Sequence, residues 1–257
     1  LKKVYGGYAE KTGQFDKLTG DINRVQDIEM VDQNPIGRSS RSNPVTYIKA
    51  YDDIRSLFAS LSLAKKRGYK PGYFSFNIEG GRCEECQGEG TVKIEMQFMA
   101  DIYLTCEACN GSRFKDEVLD VKFNNKNIAD ILSLSVDEAV TFFKAATDQD
   151  ATVKRIVEKL SVLQEVGLGY IKLGQSSNTL SGGEAQRIKL AFFLTKGTSG
   201  KPVIFLFDEP TTGLHFHDIA KLKKSFDALI ANGHTVIVIE HNPEMIRSAD
   251  WIIDLGP

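Results

Sequence analysis

The 257-residue sequence predicts an α/β protein, a parallel-sheet core interrupted by a helical insertion that carries a metal module. Two observations lead there. The apolar runs Val203–Phe207 and Val236–Ile239 alternate with helical stretches at 184–196 and 217–231, as strands joined by crossover helices do. Continuous Val/Ile/Leu/Phe runs of this kind read as strands buried on both faces. The cysteines, in turn, are confined to residues 83–109, upstream of those strands.

The elements follow in order. Residues 1–50 hold Gly6-Gly7, two short strand-like runs and a Pro/Ser/Asn-rich stretch. The second run, Asp27–Asp32, stops at Pro35, which cannot continue a ladder. Ile54, Leu57, Phe58 and Leu61 then recur at helical spacing, predicting a helix from about Tyr51 to Lys66. A basic and aromatic segment, Lys65 to Phe74, leads into the cysteines. After them, Ser135 and Glu138 form a capping box that opens a helix through Phe143. Another helix covers Ala151 to Glu165 and ends at Gly167. These elements divide the chain into a partial core at 1–50, an insertion at 51–178 with the metal module at 80–115, and a core at 179–257.

Composition narrows the class. Apolar residues are 42% and charged residues 26%, enough for one or two domains with a real core. With 32 basic and 34 acidic residues the net charge is −2, which excludes a wholly basic nucleic-acid coat but leaves room for a local patch. No run of eighteen apolar residues spans a membrane, and Leu1-Lys2-Lys3-Val4 opens no secretory leader, so the expected location is cytoplasmic. The start at Leu1 and the stop at Pro257 read as a piece of something longer.

The four cysteines are Cys83, Cys86, Cys106 and Cys109: C-x2-C, nineteen residues, C-x2-C. Each pair can wrap two sulfurs around one tetrahedral ion, so the set reads as a closed, structural zinc site with one ion per chain. Glycine follows each pair at the same offset, as Gly88 and Gly111, where positive φ tucks the backbone under the metal. Disulfides would need an oxidising compartment. Between the pairs, Thr91–Phe98 alternates as a half-buried strand should.

The chemistry gathers near the carboxyl end. Ser181-Gly182-Gly183-Glu184 is a capping box, and its bare N–H groups at a helix amino terminus also suit a phosphate. The strand Val203–Phe207 delivers Asp208 and Glu209 at its carboxyl end, where open α/β sheets bind ligands. Two adjacent carboxylates there suit Asp208 to hold Mg²⁺ and Glu209 to polarise an attacking water. A second strand ends in Glu240-His241 and would put His241 on the same rim. His215 and His217 are expected to be structural or to contact a second copy.

On those residues the chain resembles ABC ATPases. Leu180–Arg187 is similar to their signature, Val203–Pro210 to the Walker B strand, Thr211–His215 to the D-loop, His241 to the switch histidine, and Gln33 to the Q-loop glutamine. The cysteine insertion, with Ser42–Tyr47, Phe74–Asn77 and Gly80–Cys83, narrows the resemblance to the carboxyl-terminal half of the UvrA family of excision-repair proteins. That resemblance implies an incomplete ABC-type nucleotide-binding domain with an inserted signature domain. It implies a homodimeric, two-headed ATPase that binds damaged double-stranded DNA and loads the UvrB helicase subunit. Gln33, Asp208, Glu209 and His241 would serve this head's ATP and Mg²⁺, with Glu209 and His241 catalytic. Ser181, Gly182 and Gly183 would touch the γ-phosphate held by another head.

The pattern breaks at the phosphate cradle. A G-x4-G-K-[S/T] loop is missing; Gly197–Pro202 has the wrong spacing, so this piece alone is expected to be inactive. Lys65, Lys66, Arg67, Lys70 and Arg82, with Tyr69, Tyr73 and Phe74, suggest DNA-backbone contacts, although Tyr73 replaces an expected arginine. Arg38 and Arg41 beside the Q-loop are placed to couple nucleotide state to the insertion. Two alternatives remain: a DnaJ-like zinc and chaperone module, and another ABC ATPase such as a transporter motor.

Overall fold

The computed structural model describes residues 16–256 apart from 18, 38, 40, 97–100, 147–149 and 197–201. Gly6-Gly7, Arg38 and most of the Gly197–Pro202 segment therefore lie outside the described residues. Along the chain, β1 (Asp27–Val31) is followed by α1 (Pro44–Tyr47), α2 (Ala50–Ser60) and α3 (Ser62–Lys66). The hairpin β2 (Thr91–Ile94) and β3 (Ile102–Thr105) precedes α4 (Asp116–Leu119), α5 (Ile128–Ser133), α6 (Val136–Lys144) and α7 (Ala151–Glu165). The last elements are α8 (Gly182–Thr195), β4 (Val203–Asp208), α9 (Phe216–Ala231), β5 (Thr235–Ile239) and α10 (Pro243–Arg247).

Contacts divide the chain into two compact units. One contains residues 1–34, 165–167 and 181–257, and the other 35–164 and 168–180. The seam expected near residue 50 falls instead at Asn34, because Asn43, Val45, Ile48 and Ala50 bury themselves within the second unit.

The first unit is built on a parallel sheet in the order β1-β4-β5. Register puts Val31, Phe207 and Val238 on one face and Met30, Leu206 and Ile237 on the other. The first face is covered by helices: Phe193 of α8 lies 5.0 Å from Phe205, and Phe226 of α9 lies 4.6 Å from Phe207. The second face corrects the expectation of strands buried on both sides. Met30 is 53% exposed, Ile237 44% and Ile239 55%, so among the described residues this side is open along β5 and the end of β1, while Ile28 on the same side is buried. Apolar composition reported strand formation faithfully; it could not report which face finds a partner.

In the second unit, Tyr51, Phe58, Phe74, Phe76 and Phe114 form an aromatic core, and the Tyr51 hydroxyl donates to the Phe74 carbonyl at 2.6 Å. The single helix expected over 51–66 is broken. Leu61 takes an extended backbone, ψ 149°, and the Ser60 hydroxyl ties off the Leu57 carbonyl, so α2 ends where side-chain bonding competes with the next turn. Capping boxes at Asn127/Asp130 and Ser135/Glu138 start α5 and α6. The strand expected to be half-buried between the cysteine pairs is exposed throughout β2. Its alternation is nevertheless real: Val92 and Ile94 stand opposite Leu104 and Ile102 on one side of the hairpin.

Candidate nucleotide site and metal centre

The four cysteines converge although their pairs are far apart in sequence. All four Sγ atoms lie within 4.8 Å of one another and are buried; Cys83 and Cys106 are 3.9 Å apart, Cys86 and Cys109 3.7 Å. A tetrahedral ion with metal–sulfur bonds of about 2.3 Å needs edges near these lengths. The donor set therefore fits a metal ion. The two knuckles share one backbone solution. Gln87 and Gly88 have φ of 54° and 84°, and Asn110 and Gly111 have 49° and 79°. A side chain at Gly88 would put its Cβ 2.0 Å from the Phe76 carbonyl oxygen, so glycine is obligatory there. Gly90 N–H donates to Cys86 Sγ at 3.3 Å. Burial pushes the Cys86 thiol up to about 12 in the absence of a cation. Arg41 braces the first knuckle, pairing with Glu89 at 3.3 Å and donating to the Gln87 carbonyl at 3.3 Å.

The second site lies at the carboxyl end of the parallel sheet. A cleft of about 520 Å³ is lined by Met30, Asp32, Gln33, Asn34, Asp208 and Glu209. Parallel pairing explains the meeting, since β1 and β4 run side by side and release Gln33 and Glu209 at the same edge. Gln33 Nε2 donates to the Glu209 carbonyl at 3.4 Å, and His241 Nε2 lies 3.6 Å from Glu209 Oε1. Asp208 closes β4 opposite Ile239, with its residue exposed to the cleft. Glu209 itself is left-handed, φ 43°, an uncommon conformation for a residue with a Cβ and one that clusters at functional sites.

At the start of α8 the capping box is formed: Glu184 N–H donates to Ser181 Oγ at 3.3 Å, and Glu184 Oε2 accepts from Ser181 N–H at 2.7 Å. Ser181 is exposed. Gly182 lies against Gln33, close enough that an added Cβ would stand 2.9 Å from its Oε1. The glycines and the Q-loop glutamine, assigned from the resemblance to two different nucleotides, are thus neighbours in one chain.

Several bracing residues escaped sequence reasoning. Buried Gln186 donates to the Val31 carbonyl at 2.7 Å and the Asp208 carbonyl at 3.0 Å, fastening the ends of β1 and β4 together. Glu240 accepts from the N–H groups of Thr211 at 2.8 Å, His241 at 2.8 Å and Asn242 at 2.9 Å. Burial alone would raise its pKa, but these hydrogen bonds outweigh burial and hold the carboxyl below its ordinary value. Lys189 pairs with Asp32, whose carboxyl is also depressed: burial opposes the shift, and Lys189 with Asn34 overcomes it. His234 Nδ1 accepts from Val203 N–H at 3.2 Å and anchors the start of β4. The only signal for Glu240 was its place between the strand and His241.

The basic segment is only partly available. Lys65, Lys66 and Lys70 are exposed. Arg67 is held by the Glu117 carbonyl at 2.7 Å and the Asp120 carboxylate at 2.9 Å. Arg82 is 14% exposed in its side chain and engaged by Glu79 and Gln87. Tyr73 stacks on Tyr69 at 4.4 Å. His215 caps α9 without a side-chain bond, and the His217 side chain lies outside the described residues. No helix among the described residues is long and apolar enough to cross a membrane.

A parallel sheet with adjacent acids, a glutamine and a histidine on one rim, joined in sequence to a four-cysteine module, defines a fold of the ABC-ATPase type with an insertion whose cysteines could hold a metal ion. No protein-family model matches the chain. It is 52% identical over its whole length to UvrABC system protein A of Clostridium perfringens (strain 13 / Type A), of which it covers 26%. It is 53% identical over 98% of its length to that of Rhizobium meliloti, covering 25%, and 52% identical over its whole length to that of Aquifex aeolicus, covering 27%. Among solved structures, UvrA2 from Deinococcus radiodurans matches 91% of the chain and 28% of its own length, with a TM-score of 0.81 and 47% identity. The chain spans about a quarter of the length of these relatives, and nearly all of its own length matches a segment of UvrA proteins.

Proposed function

We propose that the chain forms part of the second ATPase head of a UvrA protein that recognises damaged double-stranded DNA in nucleotide-excision repair and loads UvrB. One observation carries the ATPase part of this reading: Gln33, Asp208, Glu209 and His241 converge on one rim, with Gln33 and His241 both within 3.6 Å of Glu209. Asp208 would hold Mg²⁺, which would neutralise phosphate charge. Glu209 would take the water proton, and His241, on the carboxylate's open side, would keep that carboxylate oriented. Gln33 bonds the Glu209 backbone and would position the residue. Ser181, Gly182 and Gly183 would bind the terminal phosphate of ATP held by another head, giving a homodimer of two-headed chains a reason to close.

Cys83, Cys86, Cys106 and Cys109 would hold one Zn²⁺, closed to substrate and therefore structural. Lys65, Lys66 and Lys70 would contact DNA phosphates; Arg67 would join them only by leaving Asp120. Lesions would be sensed through duplex shape and deformability, because the sequence offers no evident base-reading helix. The expected setting is the cytoplasm. The co-chaperone alternative explains the cysteines but not the carboxylate rim.

The test is ATP turnover by a protein of the relatives' full length carrying this sequence, with undamaged and damaged duplex. Turnover that responds to damage supports the proposal. Turnover indifferent to DNA, or peptide binding without nucleotide dependence, contradicts it.

A further inference from the structure

The amino terminus of α8 carries a second positive element with no evident use. Arg187, in the second turn, is 6% exposed, and its Nε is shut off from solvent without a hydrogen-bond partner. Among the described residues its guanidinium has no ion pair. A buried, uncompensated cation is costly. The positive end of the helix macrodipole makes this position worse. Glu184, one turn earlier, accepts from Ser181, and Glu209 faces His241 and Thr212.

The side chain points toward the first turn. A Cβ at Gly183 would stand 3.4 Å from Arg187 Nη1 and 3.4 Å from the Thr212 carbonyl oxygen. The guanidinium tip, the bare amide groups of the first turn and the loop after Glu209 therefore meet at one point. Two of these three features are positive, and an anion would balance them.

We infer that Arg187 is a positioning residue for a phosphate group seated on the α8 amino terminus, supplying from beneath the charge that the glycines supply as N–H groups. The inference deepens the nucleotide reading and rests on it. Without phosphate Arg187 is a liability to the fold; with phosphate it becomes a charge-assisted contact. The phosphate could belong to a nucleotide or to the DNA backbone.

The test is thermal unfolding of this chain titrated with inorganic phosphate, with ionic strength held constant by chloride. The wild-type midpoint is expected to rise with phosphate. Arg187→Met should unfold at the same or a higher temperature without phosphate, yet require at least about tenfold more phosphate for the same rise. Arg187→Lys, which keeps the charge but loses the fork, should fall between. A wild-type chain indifferent to phosphate overturns the inference. So does an Arg187→Met chain that keeps the wild-type response or, if that variant does not fold, an Arg187→Lys chain that does. Repeating the titration with ATP and with a short duplex assigns the source, by which of the two produces the Arg187-dependent shift. If turnover in the full-length protein depends on Glu209 while the phosphate response ignores Arg187, the nucleotide reading stands and this inference alone falls.

Discussion

The two sites of this chain are built on opposite principles. The cysteine cluster is assembled within 27 residues by two copies of one backbone turn, and its geometry is nearly complete once that turn is made. The carboxylate rim draws Gln33, Asp208, Glu209 and His241 from three segments separated by most of the chain, and it exists only because β1, β4 and β5 lie parallel in register. The first site depends on local covalent spacing and, on the reading proposed above, on an ion. The second depends on a sheet, and on Gln186 and Glu240, which pin the strand ends and loops. The contrast teaches where each should fail: the cluster to chelation and the rim to loss of buried hydrogen bonds.

The largest effect should come from the metal. Stripping it, or replacing Cys106 by Ser, should cost on the order of 10 kcal/mol of apparent stability in the second unit while sparing the sheet, read by chelator-dependent proteolysis of residues 80–115. Metal analysis returning well under one zinc per chain would break the comparison at its first term. Next, Gly88→Ala should cost about 3 kcal/mol in chemical denaturation, because its Cβ meets the Phe76 carbonyl at 2.0 Å where φ is 84°. Substitution at exposed Gly213, which has open space around it, should cost less, limited to backbone strain.

At the rim, Gln186→Leu should cost about 2 to 3 kcal/mol by leaving the Val31 and Asp208 carbonyls unpaired, and should not alter metal content. The smallest effect is a pH dependence. The Glu240 carboxyl is lowered in the folded state, so its contribution is full above its ordinary value of 4.5 and is lost as pH falls through the folded value. Glu240→Gln should therefore lose about 1 kcal/mol at neutral pH, and its stability should converge on wild type in acid. A constant difference across that range would assign Glu240 a packing role instead.

The comparison also explains what could be read in the sequence. Cysteine spacing, glycine offsets and capping boxes are local, so the knuckles and the starts of α6 and α8 were legible. Strand ends bearing Asp208, Glu209 and His241 were legible as well, because apolar runs mark strands. The bracing residues were not. Gln186 acts on backbone carbonyls, which leave no trace in side-chain identity, and it looks like any polar helical residue until Val31 and Asp208 are brought to it. The partners of Arg82 and Arg67 were hidden for the converse reason. Charge suggests a free cation, yet Glu79, Gln87 and Asp120, close only after folding, had already engaged both. The burial of β5 was overestimated because composition cannot say that both helices pack on one side.

The rim's chemistry is the claim on which the rest depends, and one substitution addresses it. In the full-length protein, Glu209→Gln should bind ATP as wild type does and lower turnover by about 10² or more, the loss expected when a general base is removed. A Glu209→Gln protein that hydrolyses ATP at the wild-type rate would contradict the account.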